Sequence, residues 1–255
     1  MRYADFKKRV GLSRAAICAE IFAENRDSIK IKKRAVAVRN LVTIFDATLA
    51  LANARGFHAM SLRDLGRRTG LSMGALYSYF SGKEGLLDMI QEQGARIVAR
   101  VLSEHIEKAA PPAERLRQAV RAHLYLSESL QPWFYFSYME ARYLDCARRN
   151  RAIDGELFTE ALFAGIIDEG VADGSFVPAD AVLAAAAVKA LLQDWYLKRW
   201  KYTSRGISVE DYSAFIIEFI EAYLARGAFP RPEPKKRDGG KRNGSDRRRG
   251  IRARG

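Results

Sequence analysis

Little in this chain invites catalysis or a metal. It holds three histidines and two cysteines in 255 residues. His58, His105 and His123 share no ligand spacing with one another or with Cys18 and Cys146, and neither a glycine-rich phosphate loop nor a nucleophile elbow occurs. Catalytic residues, metal ligands and bound cofactors are therefore not expected. The carboxylates stand on helix faces beside arginines and read as solvated ion pairs, and the two cysteines read as small buried hydrophobes in a reducing compartment. No run approaches the roughly 18 uninterrupted apolar residues of a membrane span, and the opening MRYADFKKRV lacks the apolar core of a signal peptide. The expectation is a cytoplasmic protein without membrane contact. Convincing strand alternation is also missing, which leaves an all-α chain.

What is abundant is positive charge, and its distribution matters more than its sum of +13. Residues 1–40 carry +7, 41–90 carry +1, 91–229 carry −3 and 230–255 carry +8. A nearly neutral body with basic ends fits a reading head flanked by phosphate-seeking segments. The chain divides accordingly into a basic helical extension (1–37), a helix-turn-helix unit (38–90), a larger helical body (91–229) and a disordered basic tail (230–255).

The informative stretch is SLRDLGRRTGLSMGALYSYFSGKEGLL, residues 61–87. Ser61 with Asp64, and Ser81 with Glu84, have the spacing of capping boxes, and Ser72 caps a helix between them. Gly70 supplies the positive φ of a tight turn, with Leu71 folded under it. Leu62, Leu65, Leu71 and Leu76 form one buried face, and Gly66 lets the two short helices cross closely. The second helix, expected over 72–80, presents Met73, Gly74, Ala75 and Tyr77, small or flat enough to enter a major groove.

The run Thr69–Leu87, TGLSMGALYSYFSGKEGLL, resembles the signature of the tetracycline-repressor (TetR) family of bacterial regulators, strongly over residues 38–90 and elsewhere by size and helical character. The resemblance implies an N-terminal three-helix helix-turn-helix DNA-binding domain followed by a ligand-binding and dimerisation domain. It assigns phosphate contacts to Ser61, Tyr77, Tyr79 and Lys83, and base edges to Ser72, Met73, Gly74 and Ala75. Met73 is apolar where many members carry a polar reader, so thymine-methyl or shape readout is open beside hydrogen bonding.

The extension contains an echo, Gly11-Leu12-Ser13-Arg14-Ala15-Ala16-Ile17, of the turn at Gly70. Lys7 stands where the true motif has Gly66 and is too long for a close crossing, so the extension reads as a helical arm whose basic end, Lys30–Arg34, follows phosphates or the minor groove. Scaffold helices follow, from Val38 to Arg55 and from Lys83 to about Glu107, the second linking head to body.

Helices in the body are expected over 114–130, 132–148, 153–170, 180–200 and from 208. The 132–148 segment is so aromatic that it reads either as core or as the wall of an effector cavity, with Trp133, Phe136, Tyr138, Arg142, Phe163 and Trp195 as candidate ligand-binding residues. Segments 194–201 and 207–221 are similar to members that answer to fatty acyl-coenzyme A thioesters, with Arg142, Lys198 or Arg199 as phosphate partners. The last two helices carry more apolar surface than one domain covers and imply a two-fold homodimer. The combined reading is a homodimeric, ligand-responsive repressor that binds a palindromic DNA operator and is released by a small hydrophobic effector. A constitutive or architectural nucleic-acid binder is the alternative, as is a body that recruits a protein partner.

Overall fold

A computed structural model describes residues 1–177 and 179–225. The basic tail expected over 230–255 lies outside the described residues. Among those residues there are helices and no strands: α1 (Tyr3–Val10), α2 (Arg14–Glu24), α3 (Arg34–Arg55), α4 (Leu62–Thr69), α5 (Met73–Leu76), α6 (Lys83–His105), α7 (Pro112–Ser129), α8 (Gln131–Glu140), α9 (Cys146–Ala172), α10 (Ala181–Leu197), α11 (Arg199–Ser204) and α12 (Val209–Ala225). The all-α expectation is met.

Helix α3 is the spine of the head. Its 22 residues end where Gly56 takes φ 86°, and it buries Ala37, Leu41, Ile44, Phe45, Ala47, Leu49 and Ala52. It is long and apolar enough to cross a membrane by composition alone. Its apolar side chains are instead occupied by α2, α4 and α8, which pack around it, as in the core helix of a globular unit.

The extension is not an arm. Gly11 (φ 58°, ψ 24°) closes α1 in the left-handed region, and the Ser13 hydroxyl caps α2 by accepting from the Ala16 amide at 3.0 Å. The echo of the head's turn is therefore real locally. The two helices nevertheless pack on other elements: α1 lies against α7, and α2 lies against α3 and α6. Phe6, Ile17, Ile21, Phe22 and Ile29 are buried. Glu20 accepts from Gln93 at 2.9 Å and from Arg100 at 2.7 Å, which fastens α2 to the linker helix α6. Tyr3 donates its amide to Glu210 at 3.0 Å, and its ring sits 5.5 Å from that of Tyr125. Periodicity showed α2 as a helix; it did not show that five apolar side chains had a core to enter.

Three other boundaries differ from expectation. Helix α6 starts after Gly82, which carries no side-chain cap, so the Ser81–Glu84 box is not formed. The helix expected over 132–148 stops at Glu140 and passes through a 3-10 turn, and α9 begins at Cys146 because the Asp145 carboxylate caps the Arg148 amide at 2.9 Å. The helix expected over 180–200 ends at Leu197, with α11 as a separate short turn. The Ser208–Asp211 box at the start of α12 is formed in both directions, at 3.1 Å each way between hydroxyl or carboxylate and amide.

Candidate nucleic-acid interface

The reading head is built from its caps. Ser61 accepts from the Asp64 amide at 3.1 Å and Asp64 accepts from the Ser61 amide at 3.0 Å, completing a capping box. Arg55 stands 2.8 Å from the same carboxylate. The backbone bond from Ser61, followed by its hydroxyl and the arginines, holds Asp64 well below the usual carboxylate range. Helix α4 ends at Gly70 in the left-handed region (φ 73°), and Ser72 starts α5 by accepting from the Ala75 amide at 3.2 Å. A Cβ on Gly66 would stand 3.1 Å from the Leu71 carbonyl, so the close crossing does depend on that glycine. Leu65 and Leu76 close the core beneath.

This geometry sorts the eight DNA-contacting candidates. Ser61, Ser72, Gly74 and Tyr77 are exposed, Tyr77 to 45%, while Met73 and Ala75 are half-buried on the same short helix. The two remaining candidates are used elsewhere. Tyr79 is fully buried and its hydroxyl accepts from Asn40 Nδ2 at 2.8 Å, so it ties α5 to α3. The Lys83 ammonium donates to the His58 carbonyl at 2.7 Å and lies 4.9 Å above the Phe57 ring, and burial lowers its pKa. Lys83 therefore secures the turn before α4. The resemblance gave both residues the family's contact role; burial against α3 takes Tyr79 inside, while Lys83 stays half-exposed with its ammonium held at the 57–60 turn.

A cationic segment outside that set comes into place instead. The Lys30 amide donates to the Ser78 carbonyl at 2.9 Å, setting the exposed run Lys30, Lys32, Lys33 and Arg34 beside the end of α5. Charge clustering had marked this run, but its position beside the reading helix depends on Ile29 being buried.

The five effector-cavity candidates whose side chains are described do not converge. Trp133 donates Nε1 to the Ile90 carbonyl at 3.1 Å and stacks on Phe45 at 5.7 Å, and Phe136 meets Phe57 edge-on at 5.7 Å. Both therefore join body to head. Trp195 is buried between α11 and α12, stacked 5.0 Å from Tyr212 and donating to Glu128 at 3.0 Å. Phe163 is buried in α9, Tyr138 is exposed to 47%, and the side chain of Arg142 lies outside the description. Of the other phosphate candidates, Lys198 pairs with Asp194 at 2.6 Å and Arg199 with Glu128 at 2.8 Å. The body core does hold one polar spot, where Lys189 lies 3.4 Å from His123 Nε2 and 3.4 Å from Glu156. Burial, then the neighbouring ammonium, pushes the His123 pKa well down. No cluster of metal-binding side chains occurs among the described residues.

A capped helix-turn-helix mounted on a long scaffold helix and joined by α6 to a helical body defines a DNA-binding regulator of two-domain, all-helical type. The N-terminal model of the bacterial regulatory proteins of the tetR family matches residues 44–90, and the tetracyclin repressor-like C-terminal domain matches 109–220. The chain belongs to the tetR family. A curated relative, the HTH-type transcriptional regulator HbdR of Aromatoleum sp. (strain CIB), is 23% identical over 181 residues, 71% of this chain and 79% of its own length. A tetR-family regulatory protein of Rhodococcus RHA1 superposes with a TM-score of 0.66 at 24% identity, covering 72% of this chain and 95% of that one. AibR, solved with isovaleryl coenzyme A and operator DNA, gives 0.62 at 19%, covering 69% and 95%. FadR of Bacillus subtilis, solved with stearoyl-CoA, gives 0.55 at 21%, covering 73% and 98%.

Proposed function

We propose that this regulator is a cytoplasmic homodimeric repressor that reads a palindromic operator and releases it when an acyl-coenzyme A thioester occupies the body. The observation that carries the DNA half is the surface formed by exposed Ser61, Ser72, Gly74 and Tyr77 with half-buried Met73 and Ala75 on a capped turn, with the Lys30–Arg34 run beside it. Met73, Gly74 and Ala75 face base edges; Ser61, Tyr77 and the lysines meet phosphates. The dimer is supported by an exposed apolar face on the last two long helices: Val182 and Leu183 on α10, and Phe215, Phe219 and Tyr223 on α12, each at least 43% exposed in the monomer. Two copies joined there form a four-helix bundle and set two heads about 10 bp, or a multiple, apart.

The effector half is supported by the coenzyme A thioesters in two structural relatives. The buried Lys189, set between His123 and Glu156, offers a thioester carbonyl a hydrogen-bond donor within an apolar core. Effector binding acts through α6, the covalent link from head to body, by changing the separation of the heads. Footprinting on the DNA flanking the gene, with and without a series of acyl-CoAs, tests both halves. Salt-sensitive protection of an inverted repeat, lost on adding one chain length, is expected. Protection indifferent to every thioester refutes the effector, and absence of any footprint refutes the operator.

A further inference from the structure

The middle of α6, where the chain passes from head to body, is gripped by the extension. Gln93, Arg96 and Arg100 share one face of α6, and Glu20 and Glu24, one turn apart on α2, stand opposite them. Buried Gln93 uses both ends of its amide: Nε2 donates to Glu20 at 2.9 Å, and Oε1 accepts from Arg96 at 2.9 Å. Arg96 continues to Glu24, and Arg100 donates to Glu20 at 2.7 Å. Glu24, Arg96, Gln93, Glu20 and Arg100 thus form one continuous ladder between the two helices. Half-exposed ion pairs of this kind add little to stability. A shift of α2 against α6, however, breaks rungs and leaves the Gln93 amide short of a partner inside the core, which is costly. The ladder therefore fixes register.

Both ends of the extension are anchored as well. On the head side α2 packs on α3, and the Lys30 amide donates at 2.9 Å to the Ser78 carbonyl, just past the reading helix. On the body side Phe6 packs on His105 and Tyr125, and the Tyr3 amide donates to Glu210 at the start of α12, the helix with the exposed apolar face. We propose that the extension is a splint across the head–body joint, and that Glu20 and Glu24 are positioning residues that fix the separation of the two heads and with it the half-site spacing the dimer accepts. This rests on the homodimeric, palindrome-reading function above. One added base pair moves a half-site by about 3.4 Å and turns it by about 35° around the duplex. Heads held at a single angle cannot follow both changes.

The test uses full-length protein and an inverted repeat that wild type selects from random duplex, remade with spacers one and two base pairs longer and shorter. Wild type should lose at least about tenfold in affinity at each altered spacer, because the second head no longer engages together with the first. Glu20→Gln with Glu24→Gln keeps side-chain shape and removes both charges. It should stay dimeric, hold a single half-site as tightly as wild type, and discriminate among spacers by about threefold or less. Should that variant fail to fold, Glu24→Gln alone, whose pair with Arg96 is half-exposed, takes its place under the same criteria. A variant as selective as wild type overturns the inference. So does a wild type that binds every spacing equally, and in that case the operator reading stands. Absence of any selected repeat removes the operator reading and this inference with it.

Discussion

Gly94 lies on α6 where the linker helix passes the indole of Trp133, and replacing it with alanine probes how tightly head and body are joined. An added Cβ would stand 2.9 Å from Nε1 and 3.4 Å from Cδ1. Ordinary heavy-atom contacts lie at about 3.5–4.0 Å, so the ring must retreat. It has little room, because its other face stacks on Phe45 of α3 and its nitrogen is bonded to the Ile90 carbonyl. Overpacking a tight core costs about 1–3 kcal/mol, and a buried donor left unpaired costs about 1–3 kcal/mol. Alanine offsets about 1 kcal/mol through its helix propensity. The balance is a loss of roughly 1–5 kcal/mol, or about 2–20 °C in Tm for a chain of this size. Gly165 on α9 is the control, since a Cβ there meets nothing within 4 Å; Gly165→Ala should stabilise by about 0.5–1 kcal/mol. Thermal melts of both variants, with operator titration, provide the measurement. Gly94→Ala should lower Tm and weaken operator binding while Gly165→Ala lowers neither. A Gly94→Ala protein as stable as wild type, binding operator equally well, would refute the claim that Trp133 wedges head against body.

Tyr77→Phe should weaken operator binding to all sequences with Tm unchanged, whereas Tyr79→Phe should cost about 1 kcal/mol of stability, by leaving Asn40 without its acceptor, and barely touch the operator salt slope; the reverse pattern returns Tyr79 to the DNA. His123 gives a pH signature. Its folded pKa is depressed by burial and then by Lys189, so below about pH 6.5 the unfolded chain binds a proton that the folded chain refuses. That stability is fully present above this pH and lost as pH falls, by up to about 1.4 kcal/mol per unit. A Tm profile between pH 7 and 5 equally steep in wild type and His123→Phe would remove the assignment. Phe219→Glu places a charge on the exposed face of α12 and should convert the dimer to monomer in sedimentation, with operator affinity falling at least tenfold; a dimeric Phe219→Glu places the interface elsewhere.

The head was legible in the sequence because its signals are local. The hydroxyl of Ser61, the carboxylate of Asp64 and the positive φ of Gly70 act within three or four residues, so spacing alone places them. The same holds for Ser72 and for the Ser208–Asp211 cap. Spacing misleads where a residue's role depends on distant chain. Ser81 has a Glu three residues on, yet the helix begins after Gly82. Asp145 caps α9 although the aromatic run before it continues the helical periodicity.

By itself, then, the sequence determined an all-helical chain, a helix-turn-helix at 61–80, its family, and an excess of apolar surface on the last two helices. Tertiary structure alone decided which of two tyrosines, two positions apart, faces outward: Tyr77 is exposed, while Tyr79 reaches Asn40 on a helix 39 residues earlier. It also decided that the extension is part of the core. Periodicity shows that a helix has an apolar side, but only packing shows what that side meets, because burial is a property of contacts between segments far apart in sequence. Phe6 meets Tyr125 and His105, and Glu20 meets Arg100. Those contacts turn a basic preface into the third wall between head and body.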